Sequence, residues 1–203
     1  MNWFVTGTDT GVGKTHVTAA LLRAIPGAGA FKPIACGSGG RNDAKIYARH
    51  MKLPVDAVNP VYLQHPLAPL VAARLERRRI NLNAILSAYS RLTTHYSPLF
   101  VEGAGGLLVP IKRDYFVADL ARELQLPVII VGRLSLGTIN HTLLTVRQAR
   151  ACGLKVAGVI LNDTGHSERT NVQAIRELCG VPLLGVVPRA RNPDVHSIAK
   201  KLL

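Results

Sequence analysis

Four residues, Trp3-Phe4-Val5-Thr6, run directly into Gly7-Thr8-Asp9-Thr10-Gly11-Val12-Gly13-Lys14-Thr15, and a helical stretch follows from Lys14 to Ala24. A short apolar strand, a glycine-bearing loop and a helix opened by Lys-Thr admit few folds. Glycines let backbone amides approach an anion closely, and the helix start turns further amides toward it. In such a loop the lysine ammonium reaches β/γ-phosphates and the hydroxyl of the next residue ligates Mg²⁺. The common expression places its first glycine four residues before Gly-Lys-Thr. Here Thr8 holds that place and Gly7 lies one residue earlier.

The rest of the chain repeats the strand-then-helix rhythm. Ala30 to Pro33 reads as a short second strand, and Pro98 to Val101 leads into Glu102 as a third. Val128 to Val131, Val156 to Leu161 and Leu183 to Val187 are further strands. Apolar runs without polar alternation belong to parallel strands covered on both faces. Helical stretches fall between them, at Val117 to Leu124, Ile139 to Ala151 and Glu168 to Cys179, the last stopped at Gly180-Val181-Pro182. The expected fold is α/β, a single P-loop NTPase-like domain over residues 1–203, with a mostly parallel sheet and helices on both faces. Ligands of such sheets sit beyond the carboxyl ends of the strands.

Several polar residues fall at those ends. Glu102, followed by Gly103-Ala104-Gly105-Gly106, reads as a strand-end carboxylate beside a flexible turn, where a Mg²⁺ ligand belongs. Asp43, after Gly39-Gly40-Arg41-Asn42, reads either as a second metal ligand or as a cap or first-turn acid of a helix that it begins. Lys32 is held extended by Pro33 and could neutralise a transferring phosphoryl group, although alone it reads as one more surface lysine. Asn162-Asp163 offers turn chemistry or, through the Asn162 amide, a donor and acceptor for an adenine edge.

Composition narrows the setting. Twenty-five Lys and Arg against 12 Asp and Glu give +13. The basic residues are scattered, apart from Arg74, Arg77, Arg78 and Arg79 around Glu76, which read as a helix end. Without aromatics interleaved among them they do not form a nucleic-acid surface. Cys36, Cys152 and Cys179 make neither a disulfide framework nor a zinc pattern. The seven histidines, His16, His50, His65, His95, His141, His166 and His196, lack metal-ligand spacing. No run is long enough to span a bilayer and no basic leader opens the chain, so a cytoplasmic, reduced protein is expected.

Taken in order, these motifs resemble the dethiobiotin synthetase family over nearly the whole chain. They are the phosphate loop, Phe31-Lys32-Pro33-Ile34, Val101-Glu102-Gly103-Ala104-Gly105-Gly106, Leu136-Gly137-Thr138-Ile139-Asn140-His141 and Gly158-Val159-Ile160-Leu161-Asn162-Asp163. Residues 55–95 match only loosely. The resemblance implies a homodimer that converts 7,8-diaminononanoate, CO₂ and Mg-ATP to dethiobiotin, through a carbamate and a carbamic–phosphoric anhydride. It implies that Lys14 and Lys32 are catalytic, holding phosphoryl oxygens and carbamate, and that Thr15, Asp43 and Glu102 hold Mg²⁺. It also implies that Thr10, Gly11, Val12, Gly13, Lys14 and Thr15 cradle phosphates while Glu102, Gly103, Ala104 and Gly105 line the nucleotide site. Asn162 and Asp163 would meet the base, flanked by Pro188, Arg189 and Ala190. Asn140 would reach substrate near the subunit interface. Cys36 stands where the family commonly has Ser or Thr, whose hydroxyl contacts substrate; a thiol is a weaker partner.

The competing reading is a regulatory ATPase of the partitioning or septum-positioning kind, which shares the sheet. Those ATPases usually carry an extra lysine early in the loop, where this chain has Thr8-Asp9-Thr10. A glutamine-dependent amide ligase would require a further amidotransferase domain.

Overall fold

The computed structural model describes residues 1–165 and 169–203. His166 and the expected helix start at Glu168 lie outside the described residues. In chain order the strand β1 (Trp3–Gly7) leads to helix α1 (Lys14–Ala24), then β2 (Gly29–Phe31), β3 (Ile34–Cys36), α2 (Gly37–Met51), α3 (Val55–Val58) and β4 (Val61–Leu63). Next come α4 (Pro69–Leu75), α5 (Leu82–Thr93), β5 (Leu99–Gly106), β6 (Pro110–Lys112), β7 (Tyr115–Phe116) and α6 (Val117–Glu123). The chain continues through β8 (Val128–Arg133), α7 (Thr138–Ala151), β9 (Val156–Asn162), α8 (Arg169–Leu178), β10 (Leu183–Val187) and α9 (His196–Ala199).

Six strands form one sheet in the order β10-β9-β8-β1-β5-β2, and every neighbouring pair is parallel. From β1 the chain crosses to the edge strand β2, returns to β5 between them, then passes to the other side of β1 and winds outward through β8, β9 and β10. The loop after β1 therefore lies at the topological switch point, where doubly wound sheets hold ligands. Phe4, Val5 and Val128 to Val131 are fully buried, as expected of strands with helices on both faces.

Three local expectations are corrected. The strand read at Ala30–Pro33 ends at Phe31. Pro33 has no N–H for a ladder, and the chain resumes as β3, which pairs with β4 in a separate sheet. Lys32 thus lies between the two sheets, its amide donating to Val58 O at 2.8 Å. Asp43 does not begin a helix: α2 starts at Gly37 and Asp43 is mid-helix. Of the glycines before it, Gly40 packs on β3, where a Cβ would lie in ordinary contact 3.4 Å from Ala35 Cα, while a Cβ on Gly39 would meet open space. Glu102 does not end its strand either, because β5 runs on to Gly106. A Cβ on Gly103 would come within 2.8 Å of Val117 and 3.0 Å of Phe4, so this glycine marks tight packing in extended backbone. The arginine cluster behaves as read: α4 ends at Leu75 and Glu76 caps it. Among the described residues no helix is long and apolar enough to cross a membrane.

Candidate functional site

The loop between β1 and α1 is held from both sides. Thr8 N donates to Val131 O at 2.9 Å, and Asn162 Nδ2 donates to Val12 O at 3.1 Å. Gly11 and Gly13 have φ of 73° and 95°, values that glycine adopts without the steric cost other residues incur. The start of α1 has neither a side-chain cap nor an acid in its first turn, so its amides remain available to an anion. Gly13 has a second reason to be glycine: a Cβ there would lie 2.0 Å from Asn162 Nδ2. Gly13→Ala should therefore lower the melting temperature and abolish tight nucleotide binding. The positive φ alone costs roughly 1–2 kcal/mol, and the clash adds to it. Thermal unfolding with and without ATP checks this; an unchanged ATP-induced shift would refute it.

Behind the loop lies a buried charged cluster drawn from α1, α2, β5 and the β2–β3 turn. The Lys32 ammonium donates to Glu102 Oε1 at 2.5 Å and to Asp43 Oδ2 at 3.2 Å. Thr15 Oγ1 donates to the same Glu102 Oε1 at 2.9 Å. The Tyr47 hydroxyl donates to Glu102 Oε2. Lys14 Nζ donates to Asp9 O at 3.0 Å within the loop. Glu102, Lys32 and Lys14 are 1%, 5% and 7% exposed.

Burial alone would raise the Glu102 carboxyl. The charge and hydrogen bond of Lys32, the Tyr47 hydrogen bond and the Lys14 charge outweigh it and hold the group below its ordinary range. Burial would lower the Lys32 ammonium, but Glu102 and then Asp43 keep it above the usual lysine value. For Lys14 burial dominates and its affinity for a proton falls, with the nearby Lys32 charge acting in the same direction. Desolvating charges offsets most of what such pairs gain, so a buried pair is weak evidence for stability. One buried lysine on two carboxylates, with a second buried lysine in the phosphate loop beside it, points instead to binding anions and a cation.

These residues floor a cleft of about 950 Å³. Thr10, Gly11, Gly13, Lys14 and Thr15 form one side, with Ala104 and Gly105 next to them. Cys36 and the segment Pro66 to Pro69 form the far wall. Burial and the charge of Glu76 push the Cys36 thiol up to about 11, so it is a neutral, weak donor and no nucleophile near pH 7. Arg23 and Arg191 also line the cleft. Nothing in their sequence surroundings marked either one; both were lost among the scattered basic residues.

Other expected residues lie outside that cleft. Val12 turns its side chain into the core, and Gly103 is packed behind the cleft. Asn162 is buried beside the loop, and its Oδ1 finds no hydrogen-bond partner among the described residues. Asp163 N donates to Val187 O at 2.9 Å, which brings Asn162 and Asp163 beside Pro188, Arg189 and Ala190, all exposed at the end of β10. These five residues thus gather at one end of the sheet, on the β9–β10 side of the loop. Asn140 is exposed on α7 and does not line the cleft.

The donor set suits a small hard cation. Thr15 Oγ1 and Glu102 Oε1 are 2.9 Å apart, and Lys32 links that Glu102 oxygen to the Asp43 carboxylate. Few carboxylates, oxygen donors only and an adjoining phosphate cradle match Mg²⁺. Among the described residues no group of three or more His, Cys, Asp or Glu could hold a metal ion by itself.

A family model described as an AAA domain matches residues 2–196. An ATP-dependent dethiobiotin synthetase of Bacillus licheniformis is 39% identical over 214 residues, spanning 98% of this chain and 91% of the relative. The enzyme of the same name from Bacillus subtilis strain 168 is 40% identical over 209 residues, spanning 97% and 90%. That from Thermodesulfovibrio yellowstonii is 40% identical over 210 residues, spanning 92% and 88%. Among solved structures, a ParA family ATPase from Chlorobium tepidum superposes with a TM-score of 0.58 at 11% identity, covering 94% of this chain and 85% of its own. The MinD cell division protein of Aquifex aeolicus gives 0.55 at 13%, covering 98% and 94%. At such identities these two share the fold alone. With near-complete coverage at about 40% identity, the chain belongs to the ATP-dependent dethiobiotin synthetase family.

Proposed function

We propose that this chain closes the ureido ring of dethiobiotin from 7,8-diaminononanoate, CO₂ and Mg-ATP. The observation that carries this reading is the Lys32 ammonium, buried between Glu102 and Asp43 at the floor of a cleft that also holds the phosphate loop. One substrate amine adds to CO₂ and loses a proton, giving a carbamate. A carbamate oxygen attacks the γ-phosphorus, the bond to the bridging oxygen breaks and ADP leaves. The second amine attacks the carbamoyl carbon, the C–O bond to phosphate breaks, and the amine proton is lost as the ring closes.

The substrate supplies both attacking groups, so the protein's work is positioning and charge neutralisation. Lys14 and the amides from Thr10 to Thr15 hold the triphosphate. Lys32 neutralises charge on the carbamate and on the oxygens of the phosphoryl group that the carbamate attacks. Thr15, Asp43 and Glu102 hold Mg²⁺, which when bound neutralises phosphate charge during transfer. The orphan Asn162 Oδ1 is an acceptor and so suits the exocyclic amine of adenine. Asp163 and Pro188 to Ala190 flank the base.

The enzyme acts as a homodimer in this reading, with Asn140 of one subunit reaching the substrate of the other. Leu136 is 89% exposed and Leu144, one turn after Asn140, is 57% exposed. Apolar exposure around this polar residue is what a covered face would leave in a single chain.

The testing experiment measures phosphate release with ATP, Mg²⁺ and bicarbonate, with the diamine omitted and then restored. Release that depends on the diamine, together with dethiobiotin formed, supports the reading. Release indifferent to the diamine but stimulated by DNA or lipid would replace it with a regulatory ATPase. Cys36 yields a further prediction. Cys36→Ser should lower KM for the diamine by about 2- to 10-fold with kcat preserved, since one hydrogen bond contributes roughly 0.5–1.5 kcal/mol. Steady-state kinetics decide it; an unchanged or raised KM removes Cys36 from the substrate contacts.

A further inference from the structure

Tyr47 is the largest fully buried side chain of the described residues, and its hydroxyl is spent on one atom, Glu102 Oε2. It lies one turn after Asp43 on α2, so the two share a helix face. That face therefore contributes two groups to the cluster: Asp43, which meets Lys32, and Tyr47, which meets Glu102. The other Glu102 oxygen, Oε1, receives Thr15 and Lys32. The two oxygens of one carboxylate are thereby given different tasks. Oε2 is occupied from inside the protein, while Oε1 faces the threonine and lysine of the cleft. The phenol holds its proton well above the ordinary tyrosine range, through burial first and Glu102 second; it acts as a fixed donor.

We infer that Tyr47 is a positioning residue that locks the Glu102 carboxylate so that a single oxygen is presented to the nucleotide-bound cation. One oxygen per carboxylate suits the strict octahedral shell of Mg²⁺, whereas Ca²⁺ readily takes both. Outer partners of this kind fix the orientation of a ligand without touching the ion, and their loss typically costs about 10- to 100-fold in metal affinity or activity. Nothing in the sequence around Tyr47 marks it out, since a tyrosine at helical spacing among Ala44, Ala48 and Met51 reads as core. The inference rests on the reading of Glu102 as a Mg²⁺ ligand, and the test separates the two.

The experiment is equilibrium binding of a fluorescent ATP analogue to the full chain, in chelator, in Mg²⁺ and in Ca²⁺. The proteins are wild type, Tyr47→Phe, Tyr47→Met, Glu102→Gln and the double variant Tyr47→Phe/Glu102→Gln. Phe and Met both delete the donor while filling the space, so either one that folds suffices, with thermal unfolding as the check. The expected result is metal-free binding within twofold of wild type for the Tyr47 variants, with the tightening by Mg²⁺ reduced about 10-fold. The tightening by Ca²⁺ should fall less. In the Glu102→Gln background the Tyr47 change should add nothing further. If Glu102→Gln reduces the Mg²⁺ effect and Tyr47→Phe leaves it intact, the positioning role is wrong and the metal reading stands. If neither changes it, the metal reading itself falls. An equal additional loss in the Glu102→Gln background would assign Tyr47 to packing and overturn the inference.

Discussion

Lys32→Ala should reduce diamine-dependent phosphate release by about 10²- to 10³-fold, the scale of losing one preorganised charge that stabilises a transition state. The loss should fall on kcat more than on KM for ATP, because Lys14 and the loop amides remain. It should also carry a signature in stability. Lys32 is the cation that meets the buried Glu102, and removing one partner of a buried pair typically costs about 3–5 kcal/mol. Thr15 and Tyr47 still donate to that carboxylate, which places the effect at the lower end.

The pH dependence has a definite sign. In the wild type Glu102 is held below its ordinary range, so its contribution is full above the unfolded value and is lost as pH falls through the folded one. Without Lys32, burial dominates and raises the carboxyl, so the folded state prefers the protonated form. The gap in melting temperature between variant and wild type should then be widest near neutrality and narrow toward pH 5. Melting curves from pH 5 to 8 test this. Near-normal turnover would remove Lys32 from catalysis, and a gap independent of pH would contradict the pairing with Glu102.

Lys14→Ala should weaken ATP binding by 100-fold or more, since a buried ammonium facing a triphosphate acts where solvent screens poorly. In the wild type, burial lowers the Lys14 ammonium from its usual range. An approaching triphosphate favours the charged form, so binding takes up a proton wherever free Lys14 is partly neutral. ATP affinity should therefore decline with rising pH, beginning below the range of an ordinary lysine and reaching a slope of one decade per unit. Lys14→Ala should be flat over the same alkaline interval. Calorimetric titration at several pH values measures both. Retention of most of the affinity by the variant would show that Lys14 does not meet the phosphates.

Reading glycines from sequence alone has a limit that this protein makes concrete. Gly103 to Gly106 looked like a turn, yet they continue β5. Gly39-Gly40 were read as preceding a helix begun at Asp43, yet they lie within α2. A missing side chain signals freedom only where nothing packs against it. Gly103, against Phe4 and Val117, is instead a place where two elements approach too closely for a Cβ. Gly11 and Gly13 were legible because they sit in a strand–loop–helix pattern that itself demands positive φ.

Local pattern sufficed for the phosphate loop, for most strands of the parallel sheet and for the helices between them. Each is set by dihedral preference and apolar spacing over a dozen or so neighbours. The partnership of Lys32, Asp43, Tyr47 and Glu102 was decided elsewhere. Lys32 and Glu102 are 70 positions apart, and they meet because β5 inserts between β1 and β2 in the sheet. Side-chain proximity depends on strand order and on how a helix is rolled against its sheet, neither of which leaves a trace in short-range spacing. Glu102, Asp43 and Lys32 could each be named as candidates from their local sequence, but Tyr47 and the hydrogen bonds that join the four became visible only once the fold brought them within reach of one another.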